Sequence, residues 1–225
     1  MNKIKKLILI FFSAILTLET SGCIFNKEPS TKELALQYLS SKYNDNFTLC
    51  GYLSKSWAYS YETITYYSEK YSDKVTVYVY GDKGDYSYKD NYYMLSMKDD
   101  AQNYFEKFPQ KYGYSVETKA RFLFSDSYYV DGNDSFLDYL KSGNCKIEIY
   151  YICQSDFLEN DSKTILKDIY NSNSKIKLGF IYFIVTNDKD LLSQYTIDEI
   201  VNDKRDNILR EWNYTINNKY GFEES

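Results

Sequence analysis

The feature that most constrains the fold of this chain is a strict alternation of side-chain types over residues 74–80. Three valines alternate with one threonine and two tyrosines: Val75, Val77 and Val79 against Thr76, Tyr78 and Tyr80. Because successive side chains of a β-strand point to opposite faces, the valines predict a buried face and the other three residues an outer face. Two aromatic and β-branched runs precede this segment, and we predict neighbouring strands at Phe47–Leu53 and Tyr59–Tyr67.

Turn and capping signals place further elements around these strands. The glycines and aspartates of residues 81–85 predict a turn that returns the chain to a short strand at Tyr86–Tyr88. Ser30-Thr31-Lys32-Glu33 has the pattern of a capping box and predicts an amphipathic helix over residues 31–43. Apolar residues at helical spacing predict a second helix from Asn91 to Phe108, which would end before Pro109.

This order of elements predicts an α+β fold built from two parts. Residues 31–112 would form a helix packed on an antiparallel meander, an architecture that resembles cystatin-like folds. Residues 113–225 would form a second, mixed α/β part, either separate from the first or continuous with it. We expect its strands at 115–124, 146–152 and 175–186. We expect helices at 135–141 and 156–170, and a closing helix from about Ile197.

The first 22 residues have the composition of an export signal. Three lysines within residues 3–6 precede a 12-residue apolar run, Leu7–Leu18, which Glu19 closes. A transmembrane helix needs about 20 apolar residues, so the run is too short for a span. We therefore expect residues 1–22 to be a cleaved signal peptide.

Thr20-Ser21-Gly22-Cys23 resembles the lipobox of exported lipoproteins of Gram-positive-type bacteria. The resemblance implies that Cys23 carries a lipid with fatty acyl chains such as palmitate, which would hold the protein on the extracytoplasmic face of the cell membrane. Several acyl chains anchor a protein stably, whereas one does so only marginally. Residues 23–30 would then form a short tether, and Cys23 would be a lipid attachment site.

Composition narrows the possible functions. The chain has no histidine, which excludes Ser-His-Asp and Cys-His catalysis and histidine-ligated zinc. No glycine-rich phosphate loop is present, and we expect no cofactor. Removal of residues 1–22, which carry a net charge of +2, changes the net charge from −5 to −7. Without a run of basic residues, nucleic acid is not an expected partner.

Carboxylates are the remaining candidates for catalysis or metal binding. Glu148 with Glu62 or Asp126 could form the pair of acids that glycoside hydrolysis requires. A loop containing four hard-oxygen residues lacks the spacing of an EF-hand, and we expect from it a helix N-cap at one of its last two residues more than a calcium site: Asp126, Asp131, Asn133 and Asp134. We therefore nominate no metal ligand.

Three cysteines follow Cys23, an odd number without metal-ligand spacing. A strand between Cys145 and Cys153 would hold them about 26 Å apart, beyond the reach of a disulfide. Cys50 could pair with either, but we expect all three to be buried and reduced.

Tyrosine is the most conspicuous residue type, with 27 tyrosines and 13 phenylalanines. An AT-rich coding sequence would produce this composition without selection, and exposed rings could also form a ligand surface. Three Tyr-Tyr pairs would each turn one ring outward if they lay in strands: Tyr66–Tyr67, Tyr92–Tyr93 and Tyr128–Tyr129.

Two functional hypotheses follow from the anchor, the rings and the acids. The first is a non-catalytic, membrane-anchored module that binds a protein or a cell-wall glycan through exposed tyrosine-rich strands. The alternative is a carboxylate-dependent hydrolase that acts on envelope polysaccharide. The lack of a recognisable catalytic motif favours the binding module.

Overall fold

The computed structural model describes residues 28–124, 135–173, 175–188, 191–203, 205–217 and 221–224. The helices are α1 Thr31–Lys42, α2 Tyr92–Ser96, α3 Lys98–Gln110, α4 Phe136–Lys141, α5 Glu159–Ser172, α6 Leu191–Gln194 and α7 Ile197–Asp203. The strands are β1 Phe47–Leu53, β2 Tyr61–Ser68, β3 Asp73–Asp82, β4 Asp85–Asp90, β5 Glu117–Phe122, β6 Lys146–Cys153, β7 Leu178–Thr186, β8 Ile208–Asn217 and β9 Gly221–Glu224. The predicted α+β class is confirmed.

Helix α1 begins at the predicted capping box. The Ser30 amide donates to the Glu33 carboxylate at 2.7 Å, and the Glu33 amide donates to the Ser30 hydroxyl at 3.4 Å. These reciprocal bonds satisfy two amides that would otherwise lack a partner in the first turn. Ala35 and Leu39, both fully buried, then face the first sheet.

The first sheet is an antiparallel meander in the order β1-β2-β3-β4. Its inner face carries the predicted valines of β3 together with Ile64 and Tyr66 of β2, and all of them pack with α1 in one core. A bulge between Leu49 and Gly51 shifts the register of β1 against β2. The predicted meander and its buried face are therefore confirmed.

The single helix predicted from Asn91 to Phe108 is wrong. The helical ladder breaks at Met97, whose amide bonds back to the Met94 carbonyl at 3.3 Å, and α3 then starts at Lys98. Helix α3 also continues through Pro109. Proline lacks the amide that would bond to the Phe105 carbonyl, and the buried Tyr151 hydroxyl donates to that carbonyl instead at 2.9 Å.

The second sheet has the order β5-β6-β7-β8-β9 and contains one parallel pair. Strands β6 and β7 run parallel because α5 crosses over between them, and the other neighbours are antiparallel. Helices α3, α4 and α5 cover one face in the main core. Helices α6 and α7 contribute Leu191 and Ile200 to a smaller core on the other face.

The carboxyl-terminal region differs from the prediction. The closing helix expected from Ile197 ends at Asp203, and strands β8 and β9 follow it. Trp212, Tyr214 and Ile216 alternate toward the core with the period of two that is typical of a strand. The expected N-cap at Asn133 or Asp134 is also wrong for α4, which Ser135 caps through its hydroxyl.

The two parts of the chain contact each other. Met94 and Met97, which follow the first sheet, are buried in the core of the second. Tyr78 of β3 stacks on Phe124, which follows β5, with ring centroids 4.7 Å apart. Among the described residues, no helix combines the length and apolar character that crossing a bilayer requires.

Candidate functional site

The outer face of the first sheet carries a set of aromatic rings. Tyr61 of β2 lies 4.6 Å from Tyr78 and 5.1 Å from Tyr80 of β3, between ring centroids, and 5.4 Å from Tyr59. These positions alternate with the buried inner residues, so the rings point away from α1. With Tyr67, which occupies the same face of β2, they form the surface that we call the tyrosine face.

Exposure varies across the tyrosine face. The side chains of Tyr59 and Tyr67 are 59% and 41% exposed, whereas Tyr61, Tyr78 and Tyr80 are half-buried. Phe124 covers one side of Tyr78. A partner would therefore meet Tyr59 and Tyr67 first.

Threonines separate the rings along both strands. Thr63 and Thr65 lie between Tyr61 and Tyr67 on the outer face of β2. Thr76 of β3 is the register partner of Thr65. Rings offer apolar stacking surfaces, and hydroxyls donate and accept hydrogen bonds. The combination suits a ligand that has both apolar faces and hydroxyl groups.

The three Tyr-Tyr pairs differ in secondary structure and exposure. In β2, Tyr67 is exposed and Tyr66 is buried, as predicted for a strand. Tyr66 donates to the Lys32 carbonyl at 2.5 Å, and burial raises its pKa to about 12. Tyr92 and Tyr93 lie in helix α2, within the range predicted to be helical, and Tyr92 is buried. Tyr128–Tyr129 lie outside the described residues.

The connection between β1 and β2 is the most exposed apolar part of the first sheet. Trp57 is fully exposed, at 101%, and Leu53 is 70% exposed. A bridge between Ser56 and Tyr59 closes the turn, and Lys55 donates to the Gly81 carbonyl at 2.5 Å. We call residues 53–57 the hairpin tip. Sequence patterns did not distinguish Trp57, because exposure at a turn leaves no periodicity.

The nominated acid Glu148 is buried and belongs to an ion cluster that extends to the surface. It lies on β6, and its carboxylate accepts from Arg121 Nε at 2.5 Å and from the Tyr150 hydroxyl at 3.2 Å. Arg121 also donates to Asp198 at 2.7 Å. Burial disfavours the charged guanidinium, but the hydrogen bonds that Arg121 donates to Glu148 and Asp198 outweigh it and raise the pKa of Arg121. The cluster joins α7 to the second sheet.

The other nominated acids do not join Glu148. Glu62 lies in the first sheet, where it accepts from the Thr31 hydroxyl at 2.5 Å, and Asp126 lies outside the described residues. An open depression of about 560 Å³ contains different acids, and Glu159 in it pairs with Lys163. Six residues line it: Leu158, Glu159, Asn160, Arg210, Glu211 and Trp212.

The three cysteines that the structure describes form no disulfide, and two of them are buried. Cys145 and Cys153 are at most 1% exposed, and burial raises the pKa of Cys145 to about 12. The expectation that Cys50 is buried is wrong, because it lies at the bulge of edge strand β1 and is exposed. Cys23 and the loop with Asp131, Asn133 and Asp134 lie outside the described residues.

No protein-family model matches the sequence, and no curated protein or solved structure shows significant similarity to it. Its function is therefore inferred from its own residues.

Proposed function

We propose that this protein is a lipid-anchored, extracytoplasmic binding module that engages an envelope polysaccharide through the tyrosine face. The observation that carries the proposal is the set of outward rings on β2 and β3, of which Tyr59 and Tyr67 are exposed. The anchor is Cys23, and the function is binding without catalysis.

The chemistry of the tyrosine face supports a polysaccharide over an apolar ligand. Tyrosine rings are large and rigid, and each adds a hydroxyl at its outer edge. The face of a sugar ring presents C–H groups that stack on such rings, while its hydroxyls meet those of Thr63, Thr65 and Thr76. A surface built on a four-stranded sheet also loses little conformational entropy when it binds.

The position of α1 supports an anchor close to the sheet. Only seven residues separate Cys23 from Thr31, the first residue of α1, and extended chain spans at most about 3.6 Å per residue. A lipid on Cys23 would thus hold the tyrosine face near the membrane surface, where envelope polymers are concentrated.

The test is co-sedimentation of the full-length, lipidated protein in detergent with purified cell-wall polysaccharide. Each stacked ring contributes about 0.5–1.5 kcal/mol, so replacing two exposed rings should weaken binding about ten-fold. We expect this loss in the double variant Tyr59→Ser/Tyr67→Ser.

The matched control is Tyr112→Ser, which removes a tyrosine that is 40% exposed but lies after α3. It should bind as the wild type does. Equal binding by wild type and double variant would contradict the proposal. A protein that the wild type captures and the double variant does not, with no polysaccharide bound by either, would assign the tyrosine face to a protein partner.

A further inference from the structure

The hairpin tip has an exposed surface that a binding site for polysaccharide does not explain. Leu53 and Trp57 are among the most exposed large apolar side chains of the described residues, at 70% and 101%. Leu53 lies at the end of β1, and Trp57 lies in the turn that follows it. An exposed tryptophan beside an exposed leucine indicates contact with another apolar phase.

The hairpin tip lies at the end of the sheet where α1 begins. At the start of α1, the Thr31 hydroxyl binds Glu62, one residue into β2, and the Lys32 ammonium lies 4.2 Å above the ring of Tyr52, next to Leu53. The last turn of α1 is fixed at the opposite end of the strands, where Lys42 pairs with Asp90 at 3.1 Å. The chain therefore enters the fold beside the hairpin tip.

Chain length brings the hairpin tip within reach of the same membrane as the anchor. Eight residues from Cys23 to Thr31 span at most about 29 Å, and five from Tyr52 to Trp57 span at most about 18 Å. A lipid on Cys23 thus allows the hairpin tip to reach the bilayer surface.

We propose that the hairpin tip is a membrane-contact site, which inserts Trp57 and Leu53 into the bilayer interface beside the lipid anchor. The inference rests on the proposed lipidation of Cys23. Tryptophan favours the level of the lipid headgroups, where its ring is buried and its N–H remains hydrated. Lys55 can keep its ammonium in the headgroup region while its stem lies along apolar surface.

Charge around the hairpin tip favours apolar insertion over electrostatic attraction. Lys55 is compensated by Asp82 at 2.7 Å. Of the other charged residues at this end of the sheet, Lys32 and Lys83 are outnumbered by Glu33, Glu62 and Asp85. Each uncompensated lysine near an anionic surface would contribute about 1 kcal/mol, and no such excess exists here. Insertion should therefore not depend on anionic lipid.

Insertion would also orient the tyrosine face. The strands of the first sheet run from the hairpin tip toward the Asp90 end. With the hairpin tip in the bilayer interface, the strands would extend away from the membrane. The tyrosine face would then be accessible to polysaccharide. The membrane contact thus complements polysaccharide binding.

The test uses the lipidated full-length protein reconstituted into phosphatidylcholine vesicles, with and without phosphatidylglycerol. The chain has two tryptophans, so the emission of Trp57 is the difference between the wild type and Trp57→Ser. We expect this component to shift to shorter wavelength, to be quenched by lipid brominated near the headgroup, and to resist quenching by aqueous acrylamide. Leu209→Ser, at a position 51% exposed on β8, is the matched control and should change nothing.

Three outcomes would overturn the inference. Vesicle-bound protein whose Trp57 emission is quenched by acrylamide and not by brominated lipid would place the hairpin tip in water, and the anchor would stand. A shift that grows with protein concentration, without lipid quenching, would assign the hairpin tip to contact between two copies. If the wild-type protein purified from its cells carries no lipid on Cys23 and does not associate with vesicles, both the anchor and the membrane contact are overturned.

Discussion

One buried carboxylate joins the amino-terminal helix to the first sheet. Asp90 is 3% exposed, and it accepts hydrogen bonds from the Tyr38 hydroxyl at 2.6 Å, the Tyr43 hydroxyl at 2.8 Å and the Tyr92 amide at 2.9 Å. Its charge is balanced by Lys42 at 3.1 Å. Burial, and then the charge of Asp90, raise the pKa of Tyr43. Nothing in the local pattern around Asp90 indicates the side-chain contacts, because Tyr38, Lys42 and Tyr43 lie about 50 residues away.

Replacement of Asp90 should destabilise the protein strongly. Asp90→Ala leaves several buried donors without an acceptor, and we expect a loss of about 3 kcal/mol in the free energy of unfolding. Asp82→Ala is the control, because it removes an ion pair whose carboxylate is 80% exposed, and it should cost less than about 1 kcal/mol. Urea unfolding measures both. Similar losses in the two variants would show that Asp90 does not join α1 to the first sheet.

At the scale of single elements, helix α3 depends on a tyrosine from the second sheet. Pro109 leaves the Phe105 carbonyl without its helical amide, and Tyr151, which is fully buried, donates to that carbonyl. The bond allows α3 to continue to Gln110. Sequence patterns place the end of the helix before Pro109, because they cannot include a donor more than 40 residues away.

A double-mutant cycle tests this coupling. Tyr151→Phe should lower the free energy of unfolding by about 1–3 kcal/mol, because a buried carbonyl loses its donor. Pro109→Ala restores an amide at that position, so the same Tyr151→Phe substitution should cost clearly less in that background. Urea unfolding of the four proteins gives the coupling free energy. Equal costs in both backgrounds would mean that Tyr151 does not compensate for Pro109.

The elements that sequence analysis predicted are those with local signals. The capping box at Ser30 and the alternation of β3 each lie within one short segment, and both are confirmed. Strands β8 and β9 were missed because β8 mixes charged residues such as Arg210 and Glu211 with its apolar positions. Of the candidate site, the outward turn of Tyr67 was predictable, whereas the ring contacts of Tyr61 depend on strand register.

At the scale of the whole molecule, burial of tyrosine gives the fold a distinct dependence on pH. Burial raises the pKa of several tyrosines above the ordinary value of about 10, and the shift is largest for five of them: Tyr43, Tyr66, Tyr92, Tyr150 and Tyr151. Below that pH, these groups are neutral in both the folded and the unfolded state. Above it, the unfolded state releases protons that the folded state keeps, so stability decreases as pH rises.

Alkaline unfolding should therefore be cooperative. Each of the five tyrosines should lower the free energy of unfolding by about 1.4 kcal/mol per pH unit above pH 10. We expect a step in tyrosinate absorbance that coincides with loss of the far-ultraviolet circular dichroism signal. Tyr67→Phe, at an exposed position, should leave this step unchanged. Gradual ionisation of all tyrosines without loss of structure would contradict the prediction.

For the whole molecule, we propose a ring-bearing sheet held at the membrane by a lipid on Cys23. The nominated acids support a hydrolase less well, because Glu62 and Glu148 lie in different sheets and Glu148 is paired with Arg121. A binding module needs only the tyrosine face and its anchor. The proposed membrane contact depends on that anchor, which would also place the proposed polysaccharide site near the membrane surface.

Metabolic labelling with an alkyne fatty acid tests this claim most directly. Cells that produce the wild type or Cys23→Ser would be labelled, and the purified proteins compared after attachment of a fluorophore. Our account predicts label on the wild type and none on Cys23→Ser. Absence of label from both proteins, or equal label on both, would contradict it.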